Sequence, residues 1–355
     1  MFGVLKFLQK LKSFGSTRRS VSKPVEDKSK VILQHMQGIV AKRPLDISIE
    51  TVTLCNARCT FCAYNKVPRD KQIMTLELFD KICREYSLAG GGSLGFGPVM
   101  SDPLVDPMLF ERIRLARTYP NLVLHAFTNG IRFAKLSDDQ LLEFFSAMNV
   151  VNISLGGLTA EDYKAMFGVD KFDNVWSSLV RIHALIGKHD LPVRVQLHFR
   201  TFERERIVGH EKYKALIDMG FDCRDVITNY SDWGGVVSQD DLPDGASITW
   251  SDNSNARSPC IIAMTEFTVL PNGDVTACGC MDSNGEHTVG NVSTQGLTEV
   301  WTGEAYTAFR DSFPKGELFR ICQKCTLYGP AEAVLSNRGL EDFDPSGEVF
   351  WLKLK

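Results

Sequence analysis

Apolar and polar positions alternate in short runs along the middle of the chain, and most runs are followed by a longer stretch with helical spacing. Residues 47–52, Ile-Ser-Ile-Glu-Thr-Val, form the first run and have a strand's length. A helix is expected over 75–86, then a glycine-rich turn and strand over 90–97. Pro107 suits the start of a helix over 108–118. Residues 121–127 read as a strand ending in Thr128-Asn129-Gly130, and Ser137 with Gln140 opens a helix to 148 with a capping-box pattern. A strand over 150–155 is broken by Gly156-Gly157. Helices over 160–167 and 172–188, a strand over 192–199, a helix over 209–219 and a strand over 223–229 complete the series. Six strand–helix alternations from residue 46 to about 235 predict an α/β fold with a parallel sheet and right-handed crossovers. Six units rather than eight predict an open, partial (β/α)6 TIM-like barrel.

Near residue 236 the alternation stops. Gly234-Gly235, Asp240-Asp241 and the polar stretch 252–255 make a turn-rich boundary. Beyond it, a strand-like run over 265–270, a turn at Pro271-Asn272-Gly273-Asp274 and a return run over 275–278 predict a β-hairpin. The expected organisation is a basic segment over 1–45, a core over 46–235, a small hairpin-containing domain over 236–330 and a tail over 331–355.

The composition, 44% hydrophobic and 23% charged over 355 residues, is that of a soluble globular protein. The net charge of −3 conceals an asymmetry, because residues 1–43 carry +8 and the remainder −11. Val4, Leu5, Phe7, Leu8 and Leu11 recur at helical spacing with lysines between them. Such a helix packs on its own domain, docks on a partner or makes peripheral membrane contact, here through residues 1–20. The first fourteen residues are too short and too charged to span a bilayer, and no small-residue cleavage site follows. Cytoplasm is the expected compartment. No nucleotide-binding glycine fingerprint and no aromatic-interleaved basic strand occurs, so no nucleic-acid partner is expected.

Ten cysteines without a secretory signal read as metal ligands rather than disulfides. Cys55, Cys59 and Cys62 stand at C-x3-C-x2-C directly after the first strand, on the loop where βα folds put their chemistry. Compact thiolates select iron–sulfur or zinc. Four would close a [4Fe–4S] site, and three leave one iron open. A second set flanks the hairpin, with Cys260 before it, Cys278 at its end and Cys322-Gln323-Lys324-Cys325 downstream. Four thiolates suit one protein-ligated cluster or a structural zinc. Cys83 and Cys223 read as core residues. Arg194, Gln196, His198 and Arg200 alternate along the fifth strand and give it one polar face.

C-x3-C-x2-C with Phe61 before its last cysteine resembles the signature of radical S-adenosylmethionine (SAM) enzymes. The resemblance implies a [4Fe–4S] cluster on Cys55, Cys59 and Cys62 whose open iron is chelated by SAM. It also implies a flavodoxin- or ferredoxin-type electron donor. Thr128-Asn129-Gly130 looks like the end of the family's third strand, and Asn152-Ile153-Ser154-Leu155 looks like its fourth. Gly95-Phe96-Gly97-Pro98 is similar in position to a segment whose backbone receives the SAM amino group, although Pro98 stands where an acidic residue is usual. Gly156 likewise replaces an aspartate that often follows the serine-leucine pair. The SAM contacts so implied are Gly95, Gly97, Asn129 and Ser154, with Arg200 added from the polar fifth strand.

The second cysteine set resembles the SPASM/twitch extension of the same family. No cysteine follows Cys325, so Cys260, Cys278, Cys322 and Cys325 imply a single auxiliary [4Fe–4S] cluster, as in the twitch form. The expected reaction is hydrogen abstraction followed by oxidation of a carbohydrate-type small molecule. The alternatives are a maturase or epimerase acting on a ribosomal peptide or sugar, with Cys280 as hydrogen donor, and a non-catalytic zinc-binding interaction protein.

Overall fold

The structure, a computed structural model, describes residues 38–97, 99–283 and 285–331. The amphipathic pattern of residues 1–20, Pro98 and nearly all of the tail lie outside the described residues. A nine-stranded sheet dominates, in the order β11-β10-β9-β1-β2-β3-β4-β5-β6. Its parallel run comprises β1 (Asp46–Ile49), β2 (Gly92–Phe96), β3 (Leu122–Thr128), β4 (Val150–Leu155), β5 (Arg194–Arg200) and β6 (Asp222–Ile227). Sequential order with helical crossovers is the partial barrel expected from the alternation.

The helices stand where the sequence cues put them. Thr75 caps α1 (Leu76–Leu88), its hydroxyl accepting from the Leu78 N–H at 3.1 Å. Ser137 and Gln140 close a capping box on α3 (Asp138–Ala147), which follows α2 (Leu109–Ala116). Then come α4 (Ala160–Phe167), α5 (Phe172–His189), α6 (Glu205–Val208) and α7 (Glu211–Asp218).

Period-two alternation separates the two faces of the sheet. Ile47, Ile49, Leu94, Phe96, Val151, Ile153, Leu197 and Phe199 are buried against the helices. Each such side chain contributes roughly 1.5–3 kcal/mol by leaving water. The opposite face carries Asp46, Ser48, Ser93, His125, Asn152, Ser154, His198 and Arg200 and lines a polar lumen.

The hairpin of β9 (Glu266–Val269) and β10 (Asp274–Thr276) extends the same sheet instead of forming one of its own. It does so because β9 pairs parallel to β1, Asp46 opposite Glu266 and Ile49 opposite Val269. β11 (Thr288–Asn291) adds antiparallel to β10. A short two-stranded sheet, β7 (Asn229–Tyr230) with β8 (Ser247–Ile248), sits in the connection. A short helix, α8 (Ile261–Thr265), separates Cys260 from β9. Three helices unforeseen from the sequence follow: α9 (Leu297–Thr302), α10 (Glu304–Lys315) and α11 (Arg320–Gln323). Their buried Trp301, Tyr306, Phe309 and Phe313 form an aromatic core behind the hairpin. No helix among the described residues is long and apolar enough to cross a membrane.

Candidate active site

The first thiol set leaves the carboxyl end of β1. Its loop is closed at the base, where Thr53 N–H donates to Gln72 O at 3.1 Å and Met74 N–H to Thr51 O at 2.8 Å. The end of α4 holds the cysteines from one side, since Arg58 N–H donates to Phe167 O and Thr60 N–H to Met166 O, both at 2.9 Å. Phe61 stacks on Tyr230 with centroids 4.9 Å apart and meets Phe167 edge-on at 5.8 Å. Trp233 Nε1 donates to Phe61 O at 2.9 Å, so the segment after β6 also clamps the loop. Glu50, fully buried beneath the loop, forms a bidentate pair with Arg69 at 3.0 and 2.6 Å.

The three thiols share one electrostatic environment. Burial, then Asp102, pushes Cys55 up to about 12. Burial pushes Cys59 well up, Cys62 and Cys55 push it further, and Arg200 pulls it back. Burial raises Cys62 too, again against Arg200. Thiolates are stable in such a place only beside a strong positive charge, which is what iron supplies. Among the described residues no three His, Cys, Asp or Glu side chains stand close enough to hold a single metal ion. The donor set, three half-buried thiols on one short loop, fits a cluster.

The other sequence-predicted residues divide. Asn129 is brought to the thiols, its Nδ2 standing 2.7 Å from Asn56 Oδ1 and 3.7 Å from Cys55 Sγ. Arg200 is also there, its guanidinium 6.0 Å from the Phe61 ring. It makes no ion pair or hydrogen bond among the described residues, and burial lowers its pKa. A half-buried guanidinium with free donors beside the thiols is a fit for a carboxylate. Ser154 faces the lumen next to His198, and His198 is bound at both ring nitrogens, to Asp225 and to Asn152, each at 3.0 Å. Gly95 and Gly97 have packing reasons of their own. A Cβ on Gly95 would lie 2.2 Å from His125 Nε2, and Gly97, at φ +85°, would meet Phe127 O at 2.4 Å.

Asp102 escaped the sequence reading and organises this region. Fully desolvated, it accepts from Thr128 Oγ1 at 2.9 Å, Asn129 N–H at 2.7 Å and Leu104 N–H at 3.0 Å. Its own N–H donates to Leu54 O at 2.9 Å, joining the thiol loop to the end of β3. The one signal available was an aspartate before Pro103, an ordinary turn residue.

The second set lies at the amino end of β1. Cys260 precedes α8 and β9, Cys278 follows β10, and β9 runs parallel to β1. Cys260, Cys278, Cys280, Cys322 and Cys325 line one apolar cavity together with Phe309 and Phe313. Buried Asn253 donates to Cys322 O at 2.8 Å and Cys325 O at 2.9 Å, fixing the C-x2-C turn. Cys280 holds Cys278 below the usual thiol range by donating to it, and is itself pushed well up. Cys280 also packs with Leu45, Ile261 and Ile262. Cys83 and Cys223 join neither set.

Residues 49–193 match the model of the radical SAM superfamily. The chain belongs to that superfamily. Residues 260–326 match the SPASM model, an iron-sulfur cluster-binding domain. A radical SAM domain works with a [4Fe–4S] cluster and SAM, and SPASM domains house auxiliary iron–sulfur clusters. The GTP 3′,8-cyclase of Chlorobaculum tepidum is 29% identical over 140 residues, 39% of this chain and 41% of that protein. This chain thus spans about two-fifths of the length of that relative. In fold, the chain is similar to BtrN in complex with AdoMet and 2-DOIA, with a TM-score of 0.55 at 19% identity over 80% of this chain and 94% of that one. It is also similar to Streptococcus suis SuiB bound to the precursor peptide SuiA, with a TM-score of 0.57 at 14% identity over 92% and 82%.

Proposed function

We propose that this radical SAM enzyme oxidises a small polar molecule held in the barrel lumen, with Cys55, Cys59 and Cys62 as ligands of the SAM-binding cluster. Cys260, Cys278, Cys322 and Cys325 are the ligands of a single auxiliary cluster. When bound, these groups supply a hydrogen-abstracting 5′-deoxyadenosyl radical at one end of the lumen and an electron acceptor at the other. The observation carrying the reading is that the two thiol sets leave opposite ends of the β1–β9 strand pair, with polar side chains between them. Asn129 orients the first thiol loop through Asn56 and Cys55, and Arg200 receives the SAM carboxylate. The lumen face of β4 and β5, with Ser154 and His198, contacts SAM or substrate. A carbohydrate-type substrate suits a lumen of serine, histidine and carboxyl groups better than an apolar one. The fifth thiol, Cys280, shares its cavity with the other four, which favours a role beside the auxiliary cluster over hydrogen donation to substrate. A flavodoxin- or ferredoxin-type protein is the electron donor, and the cytoplasm its setting.

The test is anaerobic reconstitution followed by dithionite reduction with SAM. The wild type forms 5′-deoxyadenosine. Changing Cys55, Cys59 and Cys62 to Ala abolishes it and removes about half of the iron and sulfide, as expected for ligands of one of two like clusters. 5′-Deoxyadenosine from the triple variant would sink the assignment.

A further inference from the structure

The last turn of α4 is built against the first thiol loop. Arg58 N–H and Thr60 N–H donate to the Phe167 and Met166 carbonyls, so Cys59, between them, is seated on that turn. Two glycines permit the approach. A Cβ on Gly168, which ends α4 at φ +66°, would lie 2.4 Å from Arg58 O, and one on Gly156 would lie 2.4 Å from Phe167 Cδ2.

Tyr163 stands one turn before Phe167 on the same face of α4, with ring centroids 4.9 Å apart. Phe167 in turn meets Phe61, so aromatic rings run from Tyr163 to the residue before Cys62. Phe172 also flanks Tyr163, at 6.1 Å. Tyr163 is 0% exposed, yet its hydroxyl has no hydrogen-bond partner among the described residues. A phenol taken out of water without a partner is destabilising, and buried tyrosine hydroxyls are ordinarily paired. A buried water would need polar partners of its own, and the Phe167 and Phe172 rings offer none.

The missing acceptor lies on the thiol loop. Burial raises the Tyr163 pKa, and the charges that add to it are those of Cys59, Asp102 and Cys55. The Asp102 carboxylate already accepts from Thr128, Asn129 and Leu104. A protonated thiol is a weak acceptor, whereas an iron-bound thiolate carries charge and accepts well. The acceptor therefore arises when the loop takes up its cluster.

We propose that the Tyr163 hydroxyl donates a hydrogen bond to the Cys59 thiolate once the loop holds its cluster, making Tyr163 a positioning residue that sets that cluster's reduction potential. The inference rests on the reading of Cys55, Cys59 and Cys62 as cluster ligands and deepens it. A donor to a ligand sulfur favours the reduced cluster, the form that has gained negative charge. A phenol is protonated at neutral pH, so the donor is present there in both redox states.

The experiment is a redox titration of the anaerobically reconstituted full chain, followed by electron paramagnetic resonance. The first cluster is recognised by the change in its signal on adding SAM. Tyr163→Phe keeps the ring and removes only the donor. Its first cluster should be about tenfold harder to reduce, or about 59 mV more negative for one electron, with full iron and an unmoved auxiliary cluster. In D2O, electron–nuclear double resonance on the reduced first cluster should show an exchangeable deuteron in the wild type that the variant lacks. An unchanged potential, an equal shift of both clusters, or the same deuteron couplings in both proteins overturns the proposal. Where the variant assembles less iron, chemical denaturation of the two metal-free chains decides. There the hydroxyl has no acceptor, so Tyr163→Phe should be at least as stable as the wild type, and lower stability overturns the proposal. 5′-Deoxyadenosine formation by the wild-type preparation separates the two readings. Intact SAM cleavage with a potential insensitive to Tyr163 sinks only the role of Tyr163. No SAM cleavage and no SAM-responsive signal in the wild type sinks the ligand assignment itself.

Discussion

Asn129, at the end of β3, stands with its Nδ2 3.7 Å from Cys55 Sγ and 2.7 Å from Asn56 Oδ1. The side-chain amide thus holds the first thiol loop against the neighbouring barrel strand, and Asp102 anchors the residue by accepting from the Asn129 backbone N–H. An N–H donor near a ligand sulfur withdraws electron density from the thiolate and favours the reduced cluster. Asn129→Ala should therefore make the reduction potential of the SAM-binding cluster more negative without loss of iron. Spectroelectrochemistry on the reconstituted variant checks this, and an unchanged potential counts against a tuning role. Stability should fall by about 1 kcal/mol for each hydrogen bond removed.

Arg200 offers five donors beside Cys59 and Cys62 and spends none on a protein partner among the described residues. If it receives the SAM carboxylate, Arg200→Met should weaken SAM binding by about ten- to a hundredfold, the worth of one or two charge-assisted bonds. Arg200→Lys should recover part of the loss, since charge returns without the planar fork. Equilibrium binding of SAM to the anaerobic protein measures both. Equal affinity in the wild type and Arg200→Met would remove Arg200 from the site.

Arg112 is fully buried on α2, paired with Asp106 Oδ2 at 2.7 Å. It also donates to Met74 O and to Thr75 O, where the thiol loop re-enters α1. Breaking such a pair from one side strands the other charge and typically costs 3–5 kcal/mol, so Arg112→Met should destabilise by about that much. Chemical denaturation measures it. Because the same guanidinium ties down the loop exit, the variant should also reconstitute the first cluster poorly relative to the second.

Glu266 gives a dependence of stability on pH. Burial, Asp46 and Cys278 raise its folded-state pKa well above the ordinary value. A raised carboxyl stabilises the fold below its unfolded pKa, and that contribution is lost as pH rises through the folded value. Glu266→Gln removes the loss. The variant should melt higher than the wild type, with an advantage that grows across the pH range above the ordinary carboxylate pKa. A constant difference across that range would show that Glu266 does not titrate there.

Much of the architecture was legible in the chain because strand and helix periodicities are local. The runs at 47–52, 121–127 and 150–155 declare which side chains face the helices, and Thr75 and Ser137 mark helix starts through bonds only three residues long. The cysteine spacings are local for the same reason: a thiolate triad on one loop must lie close in sequence. Tertiary structure alone decided the rest. That the hairpin continues the barrel sheet depends on β9 meeting β1, more than two hundred residues earlier, and nothing in either strand's pattern names its neighbour. Asp102 looks like a turn residue until the ends of β3 and the thiol loop converge on its carboxylate. Asn253 looks like solvated loop until its amide meets the Cys322 and Cys325 carbonyls. Glu266 reads as one polar position in a strand, and Asp46 stands just before the first run. Only the parallel register sets them opposite one another.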